Sequence, residues 1–433
     1  MKVIVEPKYS RVDQNLTILL TELLPSQNVT LSVSTQDAKG LFWSATATFK
    51  ADKTGTINVA SQAPIKGSYQ GKHALGLFWS MKPNEGKGSF SQPFALQGLK
   101  KLSIQMSAKS NNQVLFEETL ERYLYSDKIE RREIKEPQLS GTLFLPKTET
   151  PLPAIAIIPG SRGVSVVEPM AALLAEQGYI VKVIAYPNQH EGEIYELPIE
   201  GFKRSILWLS EHPQVLANKI MAIGISKGAE ALLTTLAYFP ELKLEKVIAI
   251  SPSSVVWQGL GKGRPKFCSS WSLFNEPVAY LPMHQKTAFR SVLISKLLSK
   301  LAIDKIFPSF SAVKFVKTYR KAFKNKRAAE EAAIPIEKIR APLLLISGAE
   351  DKLWPASMMC EQIKTRLKAK QFNYPIEHIN YFQAGHVFMF PGIPSMMQII
   401  KLPVLTLALG GNRKGAAMAW QAYWQKLLNY LQV

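Results

Sequence analysis

Residues 221–238 read Met221-Ala222-Ile223-Gly224-Ile225-Ser226-Lys227-Gly228-Ala229-Glu230-Ala231-Leu232-Leu233-Thr234-Thr235-Leu236-Ala237-Tyr238. The period of the apolar residues changes in the middle of this stretch. MAIGI is a short buried-strand run, AEALLTTLAY carries apolar residues at helical spacing, and Gly224-Ile225-Ser226-Lys227-Gly228 joins them. This is the pattern GxSxG in the strand-turn-helix context that gives it meaning. A turn this sharp holds a serine in a strained backbone conformation with Oγ projecting, and only glycine tolerates the close approach of strand and helix on either side. The helix that follows aims unsatisfied N–H groups at the position where negative charge would develop.

On either side of this stretch, apolar runs of about the same character lie at 154–158, 180–185, 220–225, 247–250 and 343–346, with helical segments at 169–177, 199–210 and 229–238. Such alternation predicts a mostly parallel sheet with helices on both faces, the α/β-hydrolase arrangement. Right-handed crossovers place all strand C-terminal ends on one side, where sites are expected.

A serine hydroxyl needs a base to take its proton, and the base needs a carboxylate to orient it. In this fold the chain order is serine, acid, histidine. Residues 343–347 read as a strand, and Gly348-Ala349-Glu350-Asp351 puts a carboxylate in the turn behind it. Asp351 is the expected acid, with Glu350 as its competitor. Of six histidines only His378 and His386 follow Asp351. His378 falls inside the predicted strand YPIEHINYF, where a structural role is expected, while His386 ends a loop after Gly385 and is the expected base. The oxyanion hole requires the amide after the nucleophile, that of Lys227, and one from the loop Pro159-Gly160-Ser161-Arg162-Gly163, with Ser161 and Arg162 as alternatives.

The chain before residue 130 is different. Period-2 alternation over 16–20, 29–34, 42–49 and 102–106, with turn residues at Pro25, 37–40 and 52–55, predicts an immunoglobulin-like β-sandwich. The charged stretch 127–137 (DKIERREIKEP) reads as a linker. The expected division is a sandwich over 1–126 and a catalytic domain over 127–433, the latter with a basic, lid-like insertion at about 255–335.

At 433 residues and 46% hydrophobic content, the chain can bury two cores. No secretory leader pattern and no apolar stretch of roughly 20 residues is present, so a cytoplasmic protein is expected. Cys268 and Cys360 are far apart and lack CxxC spacing, so neither a disulfide framework nor a metal site is expected. The net charge is +20, and between residues 286 and 327 twelve Lys and Arg face one acid, Asp304, a local excess of +11. Such a field attracts phosphates, nucleic acid or an anionic membrane surface. No nucleic-acid module is recognisable, so no nucleic acid is expected. Lys317, Arg320, Lys321 and Lys324 are candidates for contact with substrate phosphates or with a membrane. Leu293, Ile294, Leu297, Leu298 and Leu301 share a helical face flanked by Lys296 and Lys300, a pattern suited either to an anionic bilayer or to packing on the protein's own surface.

Several segments carry a resemblance. Gly40-Leu41-Phe42-Trp43, residues 49–52 (FKAD), Gly67-Ser68-Tyr69 and residues 76–83 (GLFWSMKP), then residues 141–146 (GTLFLP), 207–213 (LWLSEHP), 224–230 (GISKGAE), 348–354, Gly385-His386, Gly410-Gly411 and a terminal helix at 416–431 resemble the family of acyl-CoA thioesterases and bile-acid-CoA:amino-acid N-acyltransferases. The resemblance covers most of both expected domains. It implies hydrolysis of acyl-CoA thioesters through an acyl-serine intermediate, with CoA as part of the substrate and no resident cofactor. Within that family, a cysteine nucleophile gives an acyl thioester still reactive toward amines, whereas serine gives an ester ordinarily resolved by water. Ser226 therefore points to hydrolysis, with transfer to an amine or alcohol acceptor, or a carboxylesterase or lipase acting at a membrane, as alternatives. The chain departs from the family in an oxyanion loop poorer in glycine and in the longer stretch between residues 254 and 334.

Overall fold

The computed structural model describes residues 2–84, 93–111, 113–186, 193–261, 267–301, 303, 308–402 and 405–432. Its N-terminal region is built from two sheets. One has three strands, Lys2–Glu6, Thr17–Thr21 and Ile57–Asn58; the other runs in the order Tyr9–Arg11, Gln113–Tyr123, Lys101–Ser110, Asn28–Gln36, Phe42–Lys50 and Lys66–Gly67, with Lys82–Pro83 also paired to Phe42–Lys50. Every second residue of Asn28–Gln36 is buried, as a strand with one face on a core requires. Inward side chains of both sheets, among them Ile18, Leu31 and Trp43, belong to one apolar cluster. Two of the segments that carried the resemblance have structural reasons. The Trp43 indole N–H donates to Asp37 Oδ2 at 3.1 Å, and Asp37 Oδ1 accepts from Leu41 N at 3.1 Å, closing the turn at 37–41. A Cβ on Gly76 would stand 2.2 Å from the Tyr69 ring.

The second region is centred on an eight-stranded sheet of β1 (Ile129–Ile134), β2 (Gly141–Pro146), β3 (Leu152–Ile158), β4 (Ile180–Ile184), β5 (Val215–Ile225), β6 (Lys246–Ile250), β7 (Leu343–Gly348) and β8 (Ile376–Tyr381), in the order β1-β2-β4-β3-β5-β6-β7-β8. From β4 onward the pairings are parallel, while β1 and β2 are antiparallel. This is an α/β-hydrolase sheet. The stretch 127–137 is not the linker its charge predicts: residues 129–134 form edge strand β1, buried only at its two ends, Ile129 and Ile134. Charged side chains on a sheet edge keep other chains from adding to it, which is why an edge strand reads as a linker.

The labelled helices are α1 (Val164–Ala175), α2 (Ile199–Ser210), α3 (Lys227–Tyr238), α4 (Gln285–Lys300), α5 (Val316–Ala322), α6 (Lys326–Glu331), α7 (Ala356–Ala369) and α8 (Arg413–Leu431). Ile155, Ile157, Ile223 and Ile346 point to the face covered by α1, α8 and the N-terminal sheets. Ala154, Ala156, Ala222 and Leu345 point to the face covered by α2, α3 and α7. Helices on both faces explain why the central strands are continuously apolar. The insertion contributes a short sheet in which Trp271–Leu273 pairs with Leu197–Pro198 and Glu276–Pro277, followed by α4, α5 and α6.

Candidate active site

Ser226 is the last residue before α3 and has φ 55° and ψ −118°, a region costly for any residue with a Cβ and held only when the surroundings fix it. Its N–H donates to Ile250 O at 2.7 Å, and its carbonyl accepts from Ala229 N and Glu230 N at 2.9 and 3.1 Å. The flanking glycines are required by contact rather than by torsion. A Cβ on Gly224 would meet Ala229 Cα at 2.6 Å, and one on Gly228 would meet Pro159 O at 2.1 Å. The elbow is thereby wedged between β5, α3 and the end of β3.

The three expected residues, separated by up to 160 positions in sequence, converge. His386 Nε2 lies 2.7 Å from Ser226 Oγ, and His386 Nδ1 lies 2.7 Å from Asp351 Oδ2. An ionised carboxylate only accepts, so Nδ1 carries the proton donated to Asp351, which leaves Nε2 to accept from the serine hydroxyl. Asp351 follows β7, and its Oδ1 accepts from Leu353 N at 2.8 Å and Trp354 N at 3.1 Å. The carboxylate is thus fixed on both oxygens. His386 follows β8 on a loop held by its own N–H to Leu409 O at 2.8 Å and by Ser251 Oγ donating to its carbonyl at 2.7 Å. Trp354 stands edge-on to the imidazole with centroids 5.6 Å apart. His386 and Asp351 are both buried.

Glu350 is not bonded to the imidazole; its N–H donates to Ala384 O at 2.9 Å and its side chain is partly exposed. His378 sits in β8 with Nε2 2.8 Å from Ser347 Oγ and Nδ1 2.7 Å from Glu361 Oε1, away from the serine. The loop after β3 reaches the serine, since a Cβ on Gly160 would stand 3.5 Å from Ser226 Cβ. Gly163 N–H is bonded to Gly160 O at 3.0 Å, and Tyr186 OH donates to Pro159 O at 2.7 Å, which anchors the loop's start. Ser161 and Arg162, the residues expected to supply the second oxyanion amide, are both exposed in this loop.

One constellation was not anticipated. Lys227 and Glu230, one turn apart on α3, are both buried and joined by Lys227 Nζ donating to Glu230 Oε1 at 2.7 Å. The same oxygen accepts from Trp257 N at 3.1 Å and from the Trp271 indole N–H at 3.0 Å. Burial pushes the Lys227 ammonium's pKa down and the Glu230 carboxyl's up, and their mutual bond opposes both shifts. A charged i,i+3 pair in an otherwise apolar helix was the available signal. Lys317, Arg320, Lys321 and Lys324 are exposed on or just after α5. That helix is rooted at the acid turn: Val316 N–H donates to Lys352 O at 3.1 Å, and Tyr319 packs edge-on against Trp354 at 6.0 Å.

Comparison with known proteins identifies both regions. The family model for the acyl-CoA thioester hydrolase/BAAT N-terminal region matches residues 13–136, and that for the BAAT/acyl-CoA thioester hydrolase C terminal matches residues 197–433. The chain is 25% identical to bile acid-CoA:amino acid N-acyltransferase of Mus musculus, covering 98% of this chain and 96% of that one. It is 27% identical to acyl-coenzyme A thioesterase 2, mitochondrial, of the same organism, over 96% of this chain and 86% of that one. It is 26% identical to acyl-coenzyme A thioesterase 1, also of Mus musculus, over 96% and 93%. With one model matching more than half its length and a second covering the N-terminal sheets, the chain belongs to the BAAT/acyl-CoA thioester hydrolase family.

Proposed function

We propose that this protein hydrolyses acyl-CoA thioesters with Ser226 as nucleophile, His386 as general base and acid, and Asp351 as the group that orients and stabilises the imidazolium. Ser226 Oγ attacks the thioester carbonyl while its proton passes to His386 Nε2. The amides of Lys227 and of Ser161 or Arg162 receive the developing oxyanion. Collapse expels CoA as its thiol, protonated from His386, and leaves an ester on Ser226. Water, deprotonated by the same nitrogen, releases the free acid and regenerates the serine. No resident cofactor enters this cycle.

The observation that carries the reading is the pair of 2.7 Å contacts on opposite nitrogens of one imidazole. Relatives named as acyl-coenzyme A thioesterases support the substrate class. The test is thiol release from acyl-CoA by Ser226→Ala: loss of about 10⁴- to 10⁶-fold in turnover with an unchanged circular dichroism spectrum is expected. Retention of more than about a tenth of the activity would exclude the mechanism.

A second reading is favoured by the similarity to a bile acid-CoA:amino acid N-acyltransferase. In it the acyl-serine is resolved by an amine or alcohol in place of water. Mass spectrometry of the products with an amino acid such as glycine present separates the two, a conjugate indicating transfer and free acid alone indicating hydrolysis. A cytoplasmic site of action accompanies either reading and is checked by cell fractionation. Among the described residues, no helix is long and apolar enough to cross a membrane.

A further inference from the structure

An ordinary surface helix turns its apolar side inward, whereas α4 leaves most of its large apolar side chains exposed. None of its residues is buried. Phe289, Leu293, Ile294 and Leu297, continued by Leu301, are between 46% and 71% exposed, on the row made by steps of three and four residues. The half-covered residues on the other side are Thr287, Ala288, Ser291, Val292, Ser295 and Leu298, of which only Val292 and Leu298 are large and apolar. Lys286, Arg290, Lys296 and Lys300 are exposed on the same outward side as the apolar row. Phe310, on the short helix Pro308–Ser311 that packs against α4, is 65% exposed as well. On α5, Lys317, Arg320 and Lys321, with Lys324 just beyond, are exposed, and among the described residues no ion pair to them is present.

We infer that α4 is a docking helix for an anionic lipid bilayer, with its apolar row inserted at the headgroup boundary and the surrounding lysines and arginines on acidic headgroups. The charge argues for this occupant. An apolar row alone fits any apolar partner, but one set among four cations of its own helix, in a segment with +11 excess charge, has its complement in an anionic surface. Long Lys and Arg side chains lay their stems along such a row and keep their ammonium or guanidinium ends at headgroup level. The consequence for chemistry lies in where α4 is attached. It packs on α5, and α5 begins at the acid turn through Val316 N–H to Lys352 O, so the lipid surface would lie against the insertion that borders the triad.

The experiment measures binding by sedimentation, without reference to turnover, so its failure is distinct from failure of the hydrolysis reading. The full chain is mixed with vesicles of phosphatidylcholine alone and of phosphatidylcholine and phosphatidylserine in equal parts. Binding to the mixed vesicles only, weakened by salt, is expected. Phe289→Ser, Leu293→Ser and Leu297→Ser combined, all at exposed positions, should lower partition at least tenfold, since each removes a group from the apolar boundary. Lys317→Gln, Arg320→Gln, Lys321→Gln and Lys324→Gln combined should weaken it about fivefold per charge. Both variants should keep wild-type kinetics on soluble short-chain acyl-CoA. Absence of wild-type binding, equal binding to neutral vesicles, or an apolar variant that binds as well as wild type would each overturn the inference. So would a charge variant whose KM for soluble acyl-CoA rises while vesicle binding holds, which would assign the cluster to CoA phosphates. A concentration-dependent dimer lost in the apolar variant, without vesicle binding, would assign the row to a second copy of the chain.

Discussion

At the scale of single residues, the site turns on which carboxylate faces His386. Asp351 Oδ2 contacts Nδ1, while Oδ1 is held by the amides of Leu353 and Trp354. Replacing it by asparagine keeps the shape but offers an NH₂ where an acceptor is needed, so the imidazole takes the tautomer that cannot accept from Ser226. Asp351→Asn is therefore expected to lower kcat by about 10⁴-fold with little change in KM, and Glu350→Gln to stay within about threefold of wild type. Steady-state thiol release decides, and the reverse order would move the acid to Glu350. The meeting of Ser226, Asp351 and His386 could be read in advance because each sits just beyond a strand, so strand ends, flanking glycines and the serine-acid-histidine order suffice without tertiary knowledge. The choice between Ser161 and Arg162 could not be made, because which amide turns toward the serine depends on loop torsions that no periodicity records. The Lys227–Glu230 pair escaped for another reason: the partners that make its burial tolerable, Trp257 and Trp271, come from an insertion with no periodic signature.

At the scale of elements, that pair determines how α3 is seated. Lys227 is the first residue of the helix and Glu230 lies one turn on, so their bond and the two tryptophan N–H donors tie the N-terminus of α3 to the insertion. A buried ion pair has little net worth against apolar packing, but removing one partner strands the other charge at a cost of about 3–5 kcal/mol. Glu230→Gln and Lys227→Met are each expected to lose that much in urea denaturation, and the double variant should recover most of it. Single losses below about 1 kcal/mol would mean that the pair is solvated or already neutral. Other elements diverged from their sequence reading for physical reasons of the same local kind. The stretch at 129–134 is polar because only its ends are buried, and a charged edge strand cannot be told from a linker by composition. The helical period at 293–301 gave a helix with an apolar face, but period says only that a face exists. Which side turns to the protein is decided by tertiary packing: Ala288, Ser291, Val292, Ser295 and Leu298 are half-covered, while Leu293, Ile294, Leu297 and Leu301 are exposed.

At the scale of the whole molecule, the N-terminal sheets and the hydrolase sheet share one core, and α8 is among the elements that join them. Trp420, Tyr423 and Trp424 of α8 belong to the same apolar cluster as Leu31 and Trp43 of the sandwich. The Trp424 indole N–H donates to Asp13 Oδ2 at 2.9 Å, and Arg413 Nη2 donates to Ser80 O and Met81 O at 2.8 and 2.9 Å. The other side of α8 reaches the site, because the Trp420 indole N–H donates to Val387 O at 2.8 Å and the amide of Asn412, the helix's N-cap, donates to Gln383 O at 3.2 Å. The loop carrying His386 is therefore braced by a helix whose opposite contacts are made by the N-terminal region. Two regions coupled through buried apolar area and bonded carbonyls should unfold together, since opening either exposes the core of both. Thermal unfolding is expected to give one transition, with loss of near-ultraviolet circular dichroism, loss of β-sheet signal and loss of thiol-releasing activity coinciding in midpoint. Arg413→Met leaves two peptide carbonyls without their donor and should lower that common midpoint without splitting it. An early transition of the sandwich that leaves activity intact would show that the N-terminal region is an attachment, and that the histidine loop is held by the hydrolase domain alone.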